Sequence, residues 1–332
     1  MFELIYSLPE QLRAAWRLSE TIALKRLRPP RNVVVAGMGG SGIGGELLRA
    51  LLWTRSPLPV LVVKDYSLPA AVDATSLCFI VSFSGNTEET ISCYEAAQVR
   101  RATVIAVTSG GRIRELAQAR RDILIPVVAP AGCPPRAAIG HLFVPLAVTL
   151  SRFRLIPDLR PELKETIRVL QQQRNRFRVR ARRIARELKE HIPVIYSTSP
   201  LLDPVANRWR AQFNENSKVF AHVNSFPELD HNEIVGFGQP RAFARVAYLL
   251  VLSDPSARER SVLRQELTLE LLRPDYAEAR VLVPEGRSDL ARAFSLILFG
   301  DLLSYYLAIE RKVDPLPVRR IDLLKQRLAA GR

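Results

Sequence analysis

Two short stretches of the chain carry glycine and hydroxyl side chains in an arrangement that suits an anion. The first, residues 37–45, contains six glycines and Ser41 and follows the β-branched run 33–35. Glycine lets the backbone approach an anion closely, and a helix starting after it, expected over residues 46–52, offers unpaired N–H groups. This stretch, which includes Gly40, therefore predicts a site for a phosphate-sized anion.

The second stretch places three hydroxyls at the end of a predicted strand, residues 77–82. Ser82, Ser84 and Thr87 lie there, and a helix beginning near Thr87 would add its N–H groups. Two hydroxyl-bearing turns at neighbouring strand ends favour a compact terminal phosphate. The structural alternative, in which these serines and threonines only cap helices, stays open for either stretch.

The first stretch also fits another ligand, a dinucleotide. Gly37, Gly39 and Gly42 have the G-x-G-x-x-G spacing of dinucleotide-binding folds, and Asp65 lies at the end of the next predicted strand. A nicotinamide-dependent oxidoreductase is therefore one alternative function. A pyrophosphate relies mainly on one glycine turn, so this alternative leaves the hydroxyls of residues 82–87 unexplained.

The elements that must position these stretches alternate between strand and helix. Predicted strands, each followed by a turn and usually by a helical pattern, occupy residues 33–35, 59–65, 77–82, 103–108 and 123–128. Such alternation is typical of an α/β fold with a doubly wound, mainly parallel sheet flanked by helices. Residues 1–30 are predicted to be helical up to two consecutive prolines.

A proline-rich break within residues 129–135 separates a second, similar unit. Predicted strands then fall at 193–197, 219–223, 244–252 and 280–283, with helices at 204–218, 256–272, 288–312 and 318–330. We therefore expect two domains, residues 1–150 with the anion loops and residues 151–332. A chain of 332 residues with 48% hydrophobic content is long enough for roughly two cores.

The chain is strongly basic, with 48 Lys and Arg against 33 Asp and Glu and a net charge of +15. This balance fits either nucleic acid or an anionic small substrate. We find no aromatic-interleaved basic patch and no nucleic-acid-binding motif, so we expect the small substrate and no nucleic acid. The densest basic run, residues 168–190, has the apolar spacing of one helix face and is predicted to be a solvated helix.

Cysteine and histidine usage indicates neither a metal site nor a disulfide framework. Cys78, Cys93 and Cys133 form no CxxC pair, and the four histidines are scattered. We expect buried thiols in the cytoplasm, no metal and no cofactor. The N-terminus lacks the pattern of a signal peptide, and the apolar run 293–309, which contains Asp301, is judged too short and too polar to span a membrane.

The two anion stretches, Gly37-Met-Gly-Gly-Ser-Gly42 and Ser82-Phe-Ser-Gly-Asn-Thr87, together resemble the sugar isomerase domain. Four later segments resemble those of the archaeal bifunctional phosphoglucose/phosphomannose isomerases: Cys133-Pro-Pro-Arg-Ala-Ala138, Phe213-Asn-Glu-Asn-Ser-Lys218, Pro227-Glu-Leu-Asp-His-Asn232 and Arg320-Ile-Asp-Leu-Leu-Lys325. The resemblance implies two sugar isomerase domains and a homodimer with shared active sites. It also implies metal-independent interconversion of hexose 6-phosphates through a cis-enediolate, in glycolysis and gluconeogenesis.

The resemblance assigns a role to each site residue. It implies that Glu215 moves the proton between C2 and C1, that Arg136 stands beside the enediolate and that Lys325 assists ring opening. It implies that His231 opens the ring, reaching across the dimer interface; the other three histidines are read as structural. The substrate phosphate is expected to bind Gly40, Ser41, Ser82, Ser84 and Thr87.

One position departs from the family pattern. A threonine associated with the mannose epimer precedes the family's lysine by seven residues, and here that position is Val318. Valine keeps the shape without the hydroxyl, so we expect glucose 6-phosphate turnover to persist and mannose 6-phosphate turnover to weaken. A non-catalytic sugar-phosphate-binding regulator is a further alternative, but Glu215, His231 and Lys325 argue against it because a sensor needs no base.

Overall fold

The computed structural model describes residues 1–25 and 27–331, and it builds the chain on two separate parallel sheets. The strands of the first sheet are β1 (Asn32–Ala36), β2 (Val60–Val63), β3 (Ser76–Ser82), β4 (Thr103–Thr108) and β5 (Ile123–Pro126). Their spatial order is β2-β1-β3-β4-β5, and every neighbouring pair is parallel.

The second sheet has four strands, also all parallel, in the order β7-β6-β8-β9. These strands are β6 (Ile192–Ser197), β7 (His222–Ser225), β8 (Ala247–Leu252) and β9 (Glu278–Leu282). The central strands β1, β3 and β8 are buried along their whole length. Since helices cover both faces of a parallel sheet, such strands are apolar runs without alternation. The predicted α/β fold with two mainly parallel sheets is confirmed.

Thirteen helices in the described residues flank and connect the sheets. They are α1 (Phe2–Tyr6), α2 (Leu8–Thr21), α3 (Gly39–Leu52), α4 (Glu88–Val99), α5 (Gly111–Arg120), α6 (Ile139–Arg152), α7 (Arg160–Leu188), α8 (Asp203–Gln212), α9 (Glu233–Gly236), α10 (Arg241–Ala244), α11 (Glu259–Leu271), α12 (Asp289–Glu310) and α13 (Arg319–Ala329). Short 3-10 or π-type turns add Pro135–Ala137, Phe213–Ser217, Glu228–His231 and Arg273–Asp275. The predicted division into residues 1–150 and 151–332 stays a prediction.

The basic run lies on α7, a 29-residue helix whose apolar side packs along α12. Phe177 of α7 meets Phe299 of α12 edge to face, with ring centroids 5.9 Å apart. The arginines of α7 lie mainly on the opposite side of the helix, toward solvent. The basic run is thus a largely solvated helix face, as predicted.

The expectation that the late apolar run is too short and too polar to span a membrane is wrong on both counts. The run belongs to α12, which has 22 residues and an 18-residue window of mean hydropathy 1.4, enough by length and composition to cross a bilayer. However, 78% of that window is buried inside the protein. Asp301, in the middle of α12, is paired there with a buried arginine. A core helix of an α/β fold has these same properties.

Two predicted helix boundaries are wrong. The N-terminal helical region ends at Thr21 rather than near residue 30. Helix α3 begins at Gly39 rather than at Glu46, so most of the predicted glycine turn is helical. The glycines are there for close packing: a Cβ on Gly40 would lie 2.9 Å from the Pro135 backbone. Glycine normally weakens a helix, which is why the sequence pattern favours a turn here.

Candidate active site

Both anion stretches lie at one crevice, at the carboxyl ends of β1 and β3. The chain runs from β1 to one side of the sheet and from β3 to the other, so the strand order reverses between them. Parallel α/β sheets bind their ligands in the crevice at such a reversal. A hydrogen bond joins the two stretches, because the backbone N–H of Phe83 donates to Ser41 Oγ at 3.2 Å.

Most hydroxyls at this crevice keep their O–H donor for a ligand; within the Ser82–Thr87 pair one hydroxyl donates to the other. Ser82 Oγ accepts from the backbone N–H of Gly85 at 3.0 Å and lies 3.1 Å from Thr87 Oγ1. Ser84 Oγ accepts from the Asn86 N–H at 3.3 Å. A hydroxyl that accepts from the backbone can still donate its own hydrogen. The loop is therefore shaped by its backbone and presents hydroxyl donors to the crevice.

Two helix N-termini add backbone donors to the same crevice. Helix α3 starts after Met38 and α4 starts after Thr87; in the part of the chain that the structure describes, neither has a side chain capping its first N–H groups. Uncapped N–H groups and the positive end of the helix dipole attract an anion. The geometry thus agrees with phosphate binding by Gly40, Ser41, Ser82, Ser84 and Thr87, an assignment that stays a prediction.

A carboxylate and a guanidinium stand together beside this crevice. Arg136 Nη1 lies 3.5 Å from Glu215 Oε2, and both residues line a cavity of about 90 Å³ together with Gly40, Lys64 and Gln212. The Arg136 side chain is 5% exposed and the Glu215 side chain 27%. The cation is therefore enclosed, while the carboxylate is open enough to meet a substrate.

Arg136 is fixed by three groups from two parts of the chain. Its Nε donates to Asn216 Oδ1 at 2.8 Å, and its Nη2 donates to the carbonyls of Pro315 and Leu316 at 2.6 and 2.8 Å. Burial lowers the pKa of Arg136, and the nearby Glu215 carboxylate opposes this. A guanidinium remains charged in such surroundings. The site thus contains a permanent, immobile positive charge.

A buried ion pair between Arg208 and Asp301 supports the backbone of Arg136. Arg208 donates to Asp301 through Nε at 3.1 Å and through Nη2 at 2.7 Å, and its Nη2 also lies 2.7 Å from the Arg136 carbonyl oxygen. Gln212 Nε2 donates to Asp301 Oδ1 at 2.8 Å. The sequence analysis did not identify this network. The feature of the sequence that indicates this network is Asp301, because a carboxylate inside an apolar helix requires a buried partner.

Glu215 lies in a wide, π-type turn that directly follows helix α8. The predicted helix over residues 204–218 is regular only as far as Gln212, and Phe213–Ser217 form the wider turn. Asn216 Nδ2 donates to Ser304 Oγ at 3.0 Å, and Ser217 Oγ donates to the Ser304 carbonyl at 2.7 Å. Turns of this type occur often at functional sites. Here the turn is anchored to α12 by the residues that follow Glu215.

Three other predicted residues do not line this cavity in the single chain. His231 is exposed at the end of the turn Glu228–His231, and Lys325 is exposed on α13; neither lines the cavity of Glu215 and Arg136. Val318 is half-buried at the N-cap position of α13. The fold therefore brings Gly40, Arg136 and Glu215 together but leaves His231 and Lys325 apart from them.

The three cysteines offer no nucleophile or metal ligand set. All are free and buried, and burial raises the pKa of Cys93 and Cys133 to about 11. They are thiols rather than thiolates at neutral pH. Within residues 1–25 and 27–331, no group of three or more His, Cys, Asp or Glu side chains is arranged to hold a metal ion.

The strand order of the second sheet also reverses, between β6 and β8. The carboxylate of Asp254 occupies the crevice at this reversal. Asp254 accepts from Ser199 Oγ at 2.7 Å and from the N–H and Oγ of Ser256 at 3.0 and 2.8 Å. Arg292 Nε lies 3.4 Å from the same carboxylate. Because Asp254 is buried and takes these donors, the second crevice already contains its anion.

Family comparisons agree with this two-part architecture. Residues 26–134 match the family described as "SIS domain", and residues 177–328 match the family described as "Bacterial phospho-glucose isomerase C-terminal SIS domain". Together the matched segments cover most of the chain, and each contains one of the two sheets.

Curated relatives match over nearly the whole length. The "Bifunctional phosphoglucose/phosphomannose isomerase" of Caldicellulosiruptor bescii is 38% identical over 337 residues, covering 99% of each chain. The relative of the same description from Aquifex aeolicus is 37% identical, covering 92% of each. Among solved structures, the C-terminal domain of a glucosamine-fructose-6-phosphate aminotransferase from Francisella tularensis covers 96% of this chain and 98% of its own, with a TM-score of 0.78 and 16% identity, which shows the fold alone.

Proposed function

Since the chain belongs to the family of bifunctional phosphoglucose/phosphomannose isomerases, we propose that it interconverts fructose 6-phosphate with glucose 6-phosphate and mannose 6-phosphate. The observation that carries this proposal is the Glu215 carboxylate, 3.5 Å from the enclosed Arg136 guanidinium and beside the anion crevice. An aldose–ketose isomerase needs this combination of a base, a fixed cation and a phosphate site.

The proton transfer follows from that geometry. With the phosphate at the crevice, Glu215 takes the proton from C2 of the open-chain aldose and returns it to C1 of the cis-enediolate. Arg136 lies where it can stabilise the negative charge that develops on the enediolate oxygen. A positioned base contributes roughly 10²–10⁴ in rate, and a fixed charge in an enclosed site adds to that.

Ring opening requires a second acid–base group, which we assign to His231 from the partner chain of a homodimer. In its own chain His231 is exposed and does not line the Glu215 cavity. Helix α13, which carries Lys325, is exposed throughout and presents Ile321, Leu324 and Leu328 at the spacing of one apolar helix face. A second copy that covers this face would support the shared site.

The setting of the enzyme is part of the same proposal. Three free, buried cysteines are typical of a reducing compartment, so we place the enzyme in the cytoplasm, in carbohydrate metabolism between glycolysis and gluconeogenesis. A hexose 6-phosphate is the only partner that the proposal requires besides a second copy; it requires no nucleic acid, membrane or cofactor.

The first experiment incubates chelator-treated protein with fructose 6-phosphate and resolves the aldose products. We expect glucose 6-phosphate as the main product and less mannose 6-phosphate. Glu215→Gln should retain binding of 5-phosphoarabinonate, an open-chain analogue of the enediolate, while turnover falls roughly 10²–10⁴-fold. Retained turnover would remove Glu215 from the mechanism, and saturable NADH binding would favour the oxidoreductase alternative.

The shared site is tested by mixing two inactive variants. Dimers formed from a Glu215→Gln chain and a His231→Gln chain contain one site with both groups intact if His231 acts in the partner's site. We therefore expect the mixture to recover activity that neither variant has alone. If each chain supplies its own histidine, every site keeps one defect and the mixture stays inactive.

A further inference from the structure

The segment that carries His231, residues 228–233, is held on both sides of the histidine by buried or half-buried carboxylates. Exposed turn residues are usually mobile. A group that must open a sugar ring has to be held in place before the substrate arrives, because misplacement by about 1 Å can cost ~10²-fold in rate. Contacts on both sides of His231 meet this requirement.

On one side Asp230, the residue before His231, is bound by α11. Asp230 Oδ1 accepts from Thr268 Oγ1 at 2.8 Å, and Asp230 Oδ2 lies 3.2 Å from Arg264 Nη1. The Asp230 side chain is only 8% exposed. Leu229, one residue earlier, is fully buried. This end of the segment is thus attached to α11 by a charged and largely enclosed contact.

On the other side Glu233, two residues after His231, is bound by the second sheet. Its carboxylate accepts from Tyr196 Oη of β6 at 2.5 Å, from Asn224 Nδ2 of β7 at 2.5 Å and from His222 Nε2 of β7 at 2.9 Å. Burial alone would raise the pKa of Glu233, but the three hydrogen bonds outweigh burial and lower the pKa. Glu233 is therefore a charged acceptor at the centre of three donors.

The two contacts leave His231 between them and directed outward. Asn232 adds a local link, since its Oδ1 accepts from the Glu233 N–H at 2.6 Å and its Nδ2 donates to Glu228 at 2.7 Å. The segment is attached to α11, β6 and β7, while the imidazole itself is exposed. We propose that Asp230 and Glu233 are positioning residues that hold His231 in the orientation in which it enters the partner's site; this rests on the proposed function.

Replacement of Glu233 by glutamine should disturb this arrangement while nearly preserving the shape. A carboxylate can accept from all three donors, whereas an amide has one acceptor oxygen and turns two N–H donors toward the remaining groups. We expect the turnover of Glu233→Gln to fall 10- to 100-fold, with little change in the affinity for 5-phosphoarabinonate. Glu266→Gln, an exposed change on α11, is the matched control and should have no effect.

A pair of mixed dimers separates positioning from general destabilisation. In the first, His231→Gln pairs with a Glu215→Gln, Glu233→Gln chain, so the new change lies beside the working histidine. In the second, a His231→Gln, Glu233→Gln chain pairs with Glu215→Gln, so the same change lies beside the removed histidine. Both dimers have identical composition. We expect the 10- to 100-fold loss only in the first; equal loss in both, or loss in neither, would overturn the proposal.

A second measurement does not depend on the shared site. If the parent mixture of Glu215→Gln and His231→Gln is inactive, the trans assignment of His231 fails, but its positioning can still be tested. The imidazole Cε1–H resonance of His231, identified by its absence in His231→Gln, should shift or broaden in Asp230→Asn and Glu233→Gln and stay unchanged in Glu266→Gln. An unchanged resonance in both variants would overturn the positioning role.

Discussion

At the scale of single residues, the site divides two requirements between two side chains. Arg136 is 5% exposed and held by three hydrogen bonds, whereas the Glu215 side chain is 27% exposed. A charge that stabilises an oxyanion works best when it is already in place, and a base must reach the proton that it removes. The difference in burial therefore matches the difference between the roles that we propose for Arg136 and Glu215.

Val318 is expected to decide between the two aldose epimers. Val318→Thr restores a hydroxyl at this position, and we expect the mannose/glucose ratio of kcat/KM to rise roughly 3- to 10-fold, as for one hydrogen bond worth about 1 kcal/mol. The threonine could also cap α13, whose N-cap has no side-chain hydrogen bond, but better capping would change both epimers alike.

The control for Val318→Thr is Val318→Ile, which changes the apolar shape and adds no hydroxyl. It should leave the epimer ratio low. Comparable specificity constants for the two epimers in the unmodified protein would contradict the role of Val318, as would an unchanged ratio in Val318→Thr.

At the scale of elements, the strands were the most predictable part and the helix ends near the site the least. Each of the nine strands in the described residues overlaps a predicted strand, although β7 starts at His222 rather than at residue 219 and β8 at Ala247 rather than at residue 244. The start of α3 was misplaced because its glycines are required by contacts with distant backbone, such as Gly40 with Pro135. Asp301 inside an apolar helix signals a buried partner, but Arg208 lies 93 positions away, so the sequence does not identify it as that partner.

The contact between β7 and α9 should make stability depend on pH. The hydrogen bond to Glu233 raises the pKa of His222 above its ordinary value of 6.5, despite partial burial. A raised histidine pKa stabilises the fold fully below pH 6.5, and this contribution is lost as the pH rises through the higher folded value. His222 is 42% exposed, so the effect is small.

The test compares urea midpoints of the native protein and His222→Gln from pH 5.5 to 9. The difference between the two proteins should shrink as the pH rises, because only the native protein loses an ion pair. Burial lowers the pKa of His141, which has the opposite sign and cancels in the comparison. A difference that is independent of pH would contradict the role of the His222–Glu233 pair.

At the scale of the whole molecule, the two sheets differ at the crevice where the strand order of each one reverses. The crevice of the first sheet is lined by hydroxyls and helix N-termini, while Asp254 fills the crevice of the second. The second half instead supplies Glu215 and the residues that hold Arg136. On the proposed function, one substrate site per chain is built from both halves, and we expect the second sheet to bind no second phosphate.

Calorimetric titration with 5-phosphoarabinonate should therefore give one bound molecule per chain. Ser84→Ala combined with Thr87→Val should weaken this binding strongly, since both changes remove hydroxyls from the first crevice. The matched change in the second crevice, Ser199→Ala, should alter neither the number of sites nor the affinity. A second equivalent that disappears in Ser199→Ala would contradict the assignment.

The way Arg136 is held limits what it can offer to a substrate. A guanidinium has five hydrogens; the one on Nε is taken by Asn216, and the two on Nη2 are taken by the carbonyls of Pro315 and Leu316. Only the pair on Nη1 remains, and Nη1 is the nitrogen that faces Glu215. By this count of hydrogens, a substrate oxygen that Arg136 binds must lie next to the Glu215 carboxylate. The oxygen and the base are brought together because every other N–H donor of the guanidinium is already in use.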